Sequence, residues 1–266
     1  MSARDRTSTD EQIRRRRPVA APGLQPRVLL EAPGVLIVDK PAGVPTQPGR
    51  GHAEDTLLNG AFALRGEALG ALGADRDWGL VHRLDRDVSG PVVLATTPDA
   101  YDALRAAFAG RQVRKWYLAL VRGSPPSAQG ECSRAIREEV RGDMKVAMCP
   151  QRGGETALTR WRTLARQPAG TLLEVEPVTG RLHQIRVHMA VLGCPVQGDR
   201  VYRADAPPNT SPLPPGRVPD PLMLHAWRIE VPWPGSASGR LTATSPVPSG
   251  MGALAEAVAR LPPDHG

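Results

Sequence analysis

No apolar run in these 266 residues approaches the roughly 20 positions that a membrane-spanning helix requires; Val35 to Val38 and Pro91 to Ala95 are typical of the longest. A membrane span is therefore not expected. The opening MSARDRTSTDEQIRRRRP has arginines but no apolar core behind them, so it does not read as a secretory leader, and a cytoplasmic protein is expected. Cysteine is scarce as well. Cys132, Cys149 and Cys194 are an odd number, far apart and without a Cys-x-x-Cys pair, which excludes a disulfide framework or zinc site of the usual kind. They read as reduced thiols, mostly core filler. Neither GxGxxG nor GxxxxGK[ST] occurs, so the backbone cradles that hold nucleotide cofactors are missing and no cofactor or metal is expected.

Lysine is nearly absent too. Lys40, Lys115 and Lys145 are the only ones, so the net charge of +7 and pI near 10.0 are almost wholly guanidinium. Residues 1–27 hold seven arginines against Asp5, Asp10 and Glu11, which is +4, and leave +3 for the remaining 239 residues. Much of the basicity is thus a tail. Residues 1–26 lack apolar periodicity and contain the Arg14 to Arg17 run before a Pro, Ala and Gly stretch, the composition of a solvated, disordered arm. A folded domain is expected over 27–266.

That domain opens with RVLLEAPGVLIVDKPAG, two apolar runs around a Pro-Gly turn signal, which predicts a hairpin. Further strands are expected at Gly90 to Thr96, Val113 to Val121, Ala157 to Leu164, Thr171 to Pro177, Met223 to Val231 and Leu241 to Thr244. Helices are fewer. Thr97 and Pro98 introduce Tyr101, Leu104 and Phe108, which predicts an amphipathic helix to Ala109. Leu182, Ile185, Met189 and Leu192 give a second stripe stopped by Gly193, and 251–261 a short final helix. Asp205 to Pro221 holds seven prolines in seventeen positions and reads as an irregular surface loop. Many strands with few helices and no regular alternation predict an α+β fold with a large mixed, mostly antiparallel sheet.

The most informative stretch is LVHRLDRDVSGPVVLA at 80–95, where an apolar run breaks into a polar loop and returns to an apolar strand. Asp85 sits in that loop beside Arg83 and Arg86. Guanidiniums favour the charged form of a neighbouring carboxylate and keep it available as a nucleophile or base near neutral pH. A turn-capping Asp with solvated arginines explains the same residues, and the loop alone does not decide between the two.

HRLDRDVSG resembles the HRLD-x-x-TSG motif of the RluA-type pseudouridine synthases, in which the Asp attacks the target nucleotide. Other blocks resemble that family in its own order: KPAGVPTQPG at 40–49, RKWYLALVRG at 114–123, TGRLHQIRVHMAVLGCPVQGDRVY at 179–202 and LMLHAWRIEVPWP at 222–234. Val88 stands where the family usually has Thr, Leu182 where it has Thr, and Trp233 where His commonly precedes the last Pro. The resemblance implies isomerisation of a uridine within structured ribosomal or transfer RNA, without a cofactor, by a monomer with a pseudouridine synthase fold. It implies Asp85 as nucleophile, Tyr117 as the ring that stacks on uracil and takes part in proton removal, and Arg186 as the cation paired with the nucleophile. Arg83 is implied to fill the space left by a flipped-out nucleotide, and Leu224 to pack near the uracil. His82 and His183 are implied to be structural or RNA-facing.

Two other functions compete. A catalytically idle RNA-binding protein acting in ribosome assembly is disfavoured by intact Asp85, Tyr117 and Arg186. A hydrolytic glycosidase usually needs two carboxylates flanking the bond, and the Asp85 block offers only Asp87 nearby.

Overall fold

The computed structural model describes residues 11–142, 144–168, 170–203, 220–233 and 239–259. The chain divides into two compact units, one from residues 1–113 and 228–246 and the other from 114–227 and 247–266. The sequence reading had one domain from residue 27 onward.

The first unit is built on a three-stranded antiparallel sheet in the order β1 (Arg27–Ala32), β2 (Val35–Lys40), β3 (Gly90–Ala95). Val35 to Val38 and Val92 to Ala95 are fully buried, because the central strand and its neighbour are covered on both faces and so read as unbroken apolar runs. The β2–β3 register places Lys40 opposite Gly90, so the two segments that leave the strands at this end, 41–56 and 80–89, lie side by side.

Two helices serve this sheet. The amphipathic helix expected after Thr97 is present, and the Thr97 hydroxyl accepts from Ala100 N–H at its start. Earlier in the chain lies a helix the apolar spacing does not predict, α1 (Leu57–Leu72), capped by a reciprocal Thr56 and Asn59 pair; the one after Thr97 is α2 (Pro98–Ala109). Glycines at 60, 66 and 70 interrupt any stripe on α1. Gly60 is required by packing, since a Cβ there would sit 2.1 Å from the Leu24 carbonyl oxygen.

Residues 11–26 are not a solvated arm in this structure. Residues 11–15 are helical, Pro18 is buried, the Trp78 indole donates to Arg14 O, and the Asn59 amide donates to Val19 O while Asn59 O accepts from Ala21 N–H. Donors and acceptors on α1 and Trp78 hold this segment, something its own composition does not announce. Residues 1–10 lie outside the described residues, as do 204–219, which cover most of the proline-rich segment.

The second unit centres on an antiparallel sheet built from β4 (Arg114–Val121), β5 (Gln129–Cys132), β8 (Thr159–Gln167) and β9 (Gly170–Pro177), in the order β4, β9, β8, β5. A separate hairpin is formed by β6 (Arg137–Arg141) and β7 (Met144–Met148). The strand after the described gap, β10 (Leu224–Pro232), begins in this unit beside β4 and ends in the first unit, where it pairs with β11 (Arg240–Thr244). There Ile229, Val231, Leu241 and Ala243 join Val35, Ile37, Val93 and Leu104 in one core.

Helix α3 (Gln184–Val191) is a turn shorter than its apolar stripe suggested, and Gln184 to Ala190 are all buried. It is enclosed rather than amphipathic, which is why polar Gln184, Arg186 and His188 must find partners inside. A last helix, α4 (Gly252–Ala259), places Leu254 against Leu118, Leu120 and Leu172. Cys132 and Cys194 are buried, and burial pushes the Cys149 and Cys194 thiols up to about 11, so neither of those two is a thiolate near neutral pH. Among the described residues no helix is long and apolar enough to cross a membrane.

Candidate active site

The Asp85 loop is fastened on both sides of the carboxylate. Before it, the Thr46 hydroxyl donates to Leu84 O at 2.8 Å and accepts from Leu84 N–H at 3.2 Å. After it, Arg86 O accepts two bonds, one from Gly43 N–H at 2.9 Å and one from the Lys40 ammonium at 2.9 Å. Within the loop, Asp85 O accepts from Val88 N–H at 3.1 Å and closes a turn. Val88 itself is buried, so an apolar side chain fits the position where the family usually carries a hydroxyl.

The clamp is supplied by the KPAGVPT segment, and each part has a physical cause. Gly43 takes φ +87°, which a side chain would strain, and this aims its N–H at the loop. Pro45 O and Thr46 O accept from Leu57 N–H and Leu58 N–H, the otherwise unpaired donors at the start of α1. Lys40 is fully buried and its ammonium donates to three carbonyls, Pro41 at 2.8 Å, Val44 at 2.7 Å and Arg86. Burial lowers Lys40 to about 7, against the opposing pull of Asp87 and Asp85, so this cation lies within electrostatic reach of the proposed nucleophile.

The arginines divide differently from their order in the chain. Arg86 donates through Nε to Asp87 at 3.1 Å. Arg83 is exposed, and among the described residues it makes no hydrogen bond or ion pair. His82 holds the start of the loop: its Nε2 accepts from Val93 N–H at 2.9 Å and its ring stacks on Phe108 at 4.7 Å.

The other expected residues are carried by the second unit. Tyr117 is buried on β4, opposite Val175 of β9. Leu224 is buried at the start of β10, the neighbour of β4. Arg186 projects from the enclosed helix α3 and makes a bidentate pair with Asp199, Nε to Oδ2 at 2.7 Å and Nη2 to Oδ1 at 3.0 Å. The Asp199 side chain is fully buried and its Oδ1 also accepts from Val201 and Tyr202 N–H. Such a fork fixes the guanidinium plane. The same cation lies over the Tyr202 ring at 5.1 Å, and the Tyr202 hydroxyl meets His183 Nδ1 at 2.6 Å while accepting from Ala147 N–H.

The structure thus gathers His82, Arg83 and Asp85 on one loop, and joins His183 to Arg186 through Tyr202. Sequence reasoning gave no role to Lys40, Thr46, Asp199 or Tyr202, although each stands in a quoted block. The sequence carried no signal for their roles beyond membership of those blocks.

Comparison with known proteins identifies the family. The sequence profile of the RNA pseudouridylate synthase family matches residues 34–191, more than half of the chain. The chain belongs to that family. It is 36% identical over 236 residues to a ribosomal large subunit pseudouridine synthase D of Nitrosomonas europaea, covering 89% of this chain and 66% of the relative. It is 38% identical over 241 residues to the protein of the same name from Xanthomonas campestris, covering 87% and 69%. The chain therefore spans about two thirds of the length of these relatives. Among solved structures, human RNA pseudouridylate synthase domain containing 4 shares the fold, with a TM-score of 0.65 and 24% identity over 87% of this chain and 92% of that one. Membership makes this an enzyme that isomerises uridine in RNA to pseudouridine.

Proposed function

We propose that the substrate is large-subunit ribosomal RNA and that Asp85 is the nucleophile, in a monomer acting in the cytoplasm. The substrate reading is supported by the names of the Nitrosomonas and Xanthomonas relatives. The observation that carries Asp85 is the clamp: Leu84 and Arg86 are each held by two hydrogen bonds from the 40–46 segment. Bracing the residues on either side presets the carboxylate between them, and preset geometry is what a nucleophile needs.

The reaction breaks the bond between uracil N1 and the sugar, turns the free base, joins carbon 5 to the sugar, and exchanges the carbon 5 proton for one taken up at N1, so that Asp85 is free again at the end. No electrons are exchanged with an outside group. Asp85 supplies the attacking carboxylate, Tyr117 a ring to stack on the base and a hydroxyl for the proton, and Arg186 the cation that favours the ionised nucleophile. A stacked nucleotide reaches such a group only by flipping out. Arg83 suits the gap it leaves, because its exposed guanidinium can stack on bases. Leu224 packs against the uracil, and His82 and His183 orient the segments that face RNA.

The test is incubation of the purified protein with large-subunit ribosomal RNA and, separately, with transfer RNA, each tritiated at uracil carbon 5. Tritium release from the ribosomal RNA, with the chain intact and no abasic sites, is expected. Release from transfer RNA alone would overturn the substrate, and abasic sites would overturn isomerisation.

A further inference from the structure

Lys115 is a charge the fold holds without return. It lies on β4 two residues before Tyr117, and side chains two apart on a strand share a face. Among the described residues its ammonium makes no hydrogen bond and no ion pair, and burial alone lowers it to about 8. Lys40 offers the contrast, since its ammonium is satisfied by three carbonyls. Lys115 is half-buried rather than enclosed, so a ligand can reach its ammonium, and a partly desolvated cation without a protein partner points to one that arrives from outside.

The ammonium lies beside an exposed turn. Its Nζ lies 3.9 Å from where a Cβ on Gly180 would stand, and Gly180 is exposed. The turn that carries Gly180 is rigid on both sides. Thr179 accepts from Leu158 N–H and donates to Gln184 Oε1, which also accepts from Arg181 N–H, and Arg181 donates to Thr156 O and pairs with Glu155. The braced turn holds Gly180 beside the Lys115 ammonium.

We propose that Lys115 is a substrate-binding residue whose ammonium receives an anionic oxygen of the target nucleotide on the face of β4 that carries Tyr117. Two oxygens of that nucleotide share this chemistry: a backbone phosphate, charged throughout, and the uracil ring, which takes up charge when its bond to the sugar breaks. The proposal rests on the assignment of Tyr117 to the site.

The experiment compares Lys115→Met and Lys115→Arg with wild type and with Tyr117→Phe, measuring RNA affinity across salt, single-turnover tritium release and thermal stability. Lys115→Met removes an unpaired, half-buried charge, so its melting temperature is expected to hold or rise. Its function is expected to fall by roughly ten- to a hundred-fold, the scale of a lost charge-assisted hydrogen bond, with partial rescue by Arg. If the loss is in affinity and the logarithmic salt slope falls by about 0.7 to 0.9, the oxygen is a phosphate. If affinity is kept and the single-turnover rate falls, it is the uracil. Unchanged affinity and rate in Lys115→Met, or a loss matched by a lower melting temperature, would overturn the proposal. Inactive Tyr117→Phe beside fully active Lys115→Met removes Lys115 alone; wild-type turnover in Tyr117→Phe removes the site assignment on which it stands.

Discussion

Lys40 shows how much a single residue can decide. Its ordinary pKa of 10.5 falls to about 7 in the fold because burial outweighs the attraction of Asp87 and Asp85. Between those two values the unfolded chain binds a proton that the folded chain does not, so stability rises with pH across that window. Below about pH 7 both states are charged and the cost of burying the ammonium is fully present. Lys40→Met does not titrate. Urea unfolding at intervals from pH 7 to pH 10 is therefore expected to show wild type gaining on Lys40→Met by up to a few kcal/mol. A constant difference would mean that the three carbonyls hold the proton as firmly as water does. The KPAG block was legible as a family signature, but not what its lysine does, because three carbonyl acceptors from distant positions meet only after the strands pair. Arg86 is the converse case: it stands next to Asp85 in the chain and donates to Asp87.

At the scale of elements, α2 and the strands β1 to β4 and β8 to β11 were legible because their apolar runs and the Thr97 cap are local signals, whereas β5, β6 and β7 were not expected, being short and largely polar or exposed. Helix α1 was not, since Gly60, Gly66 and Gly70 break its stripe, and Gly60 answers to the Leu24 carbonyl rather than to helix propensity. The segment before β1 departs from its composition for a related reason. Its arginines suggest a solvated arm, yet Pro18 is buried and residues 11–26 are held by the Trp78 indole on Arg14 O, the Asn59 amide on Val19 O and Ala21 N–H on Asn59 O, which composition does not encode. Deleting residues 1–26 is expected to lower the melting temperature by on the order of 5–10 °C, a few lost hydrogen bonds and one buried proline at about 1 kcal/mol each. An unchanged melting temperature would restore the free arm.

At the scale of the whole molecule, the five motif blocks fall in both units. KPAGVPTQPG and HRLDRDVSG belong to the first; RKWYLALVRG and the TGRLHQIRVH block belong to the second; the closing block starts in the second and ends in the first. Block order was legible in the sequence, whereas this partition was not, because it depends on where β10 passes from one unit to the other. What the sequence could not supply for the site was its bracing, the Thr46 and Lys40 contacts around Asp85 and the Asp199 fork on Arg186. Asp85→Asn tests the central claim most directly, for it keeps the loop's backbone bonds and removes only the carboxylate charge. Single-turnover tritium release from carbon-5-labelled RNA is expected to fall to background in this variant, with RNA affinity and melting temperature close to wild type; measurable release would contradict Asp85 as the nucleophile.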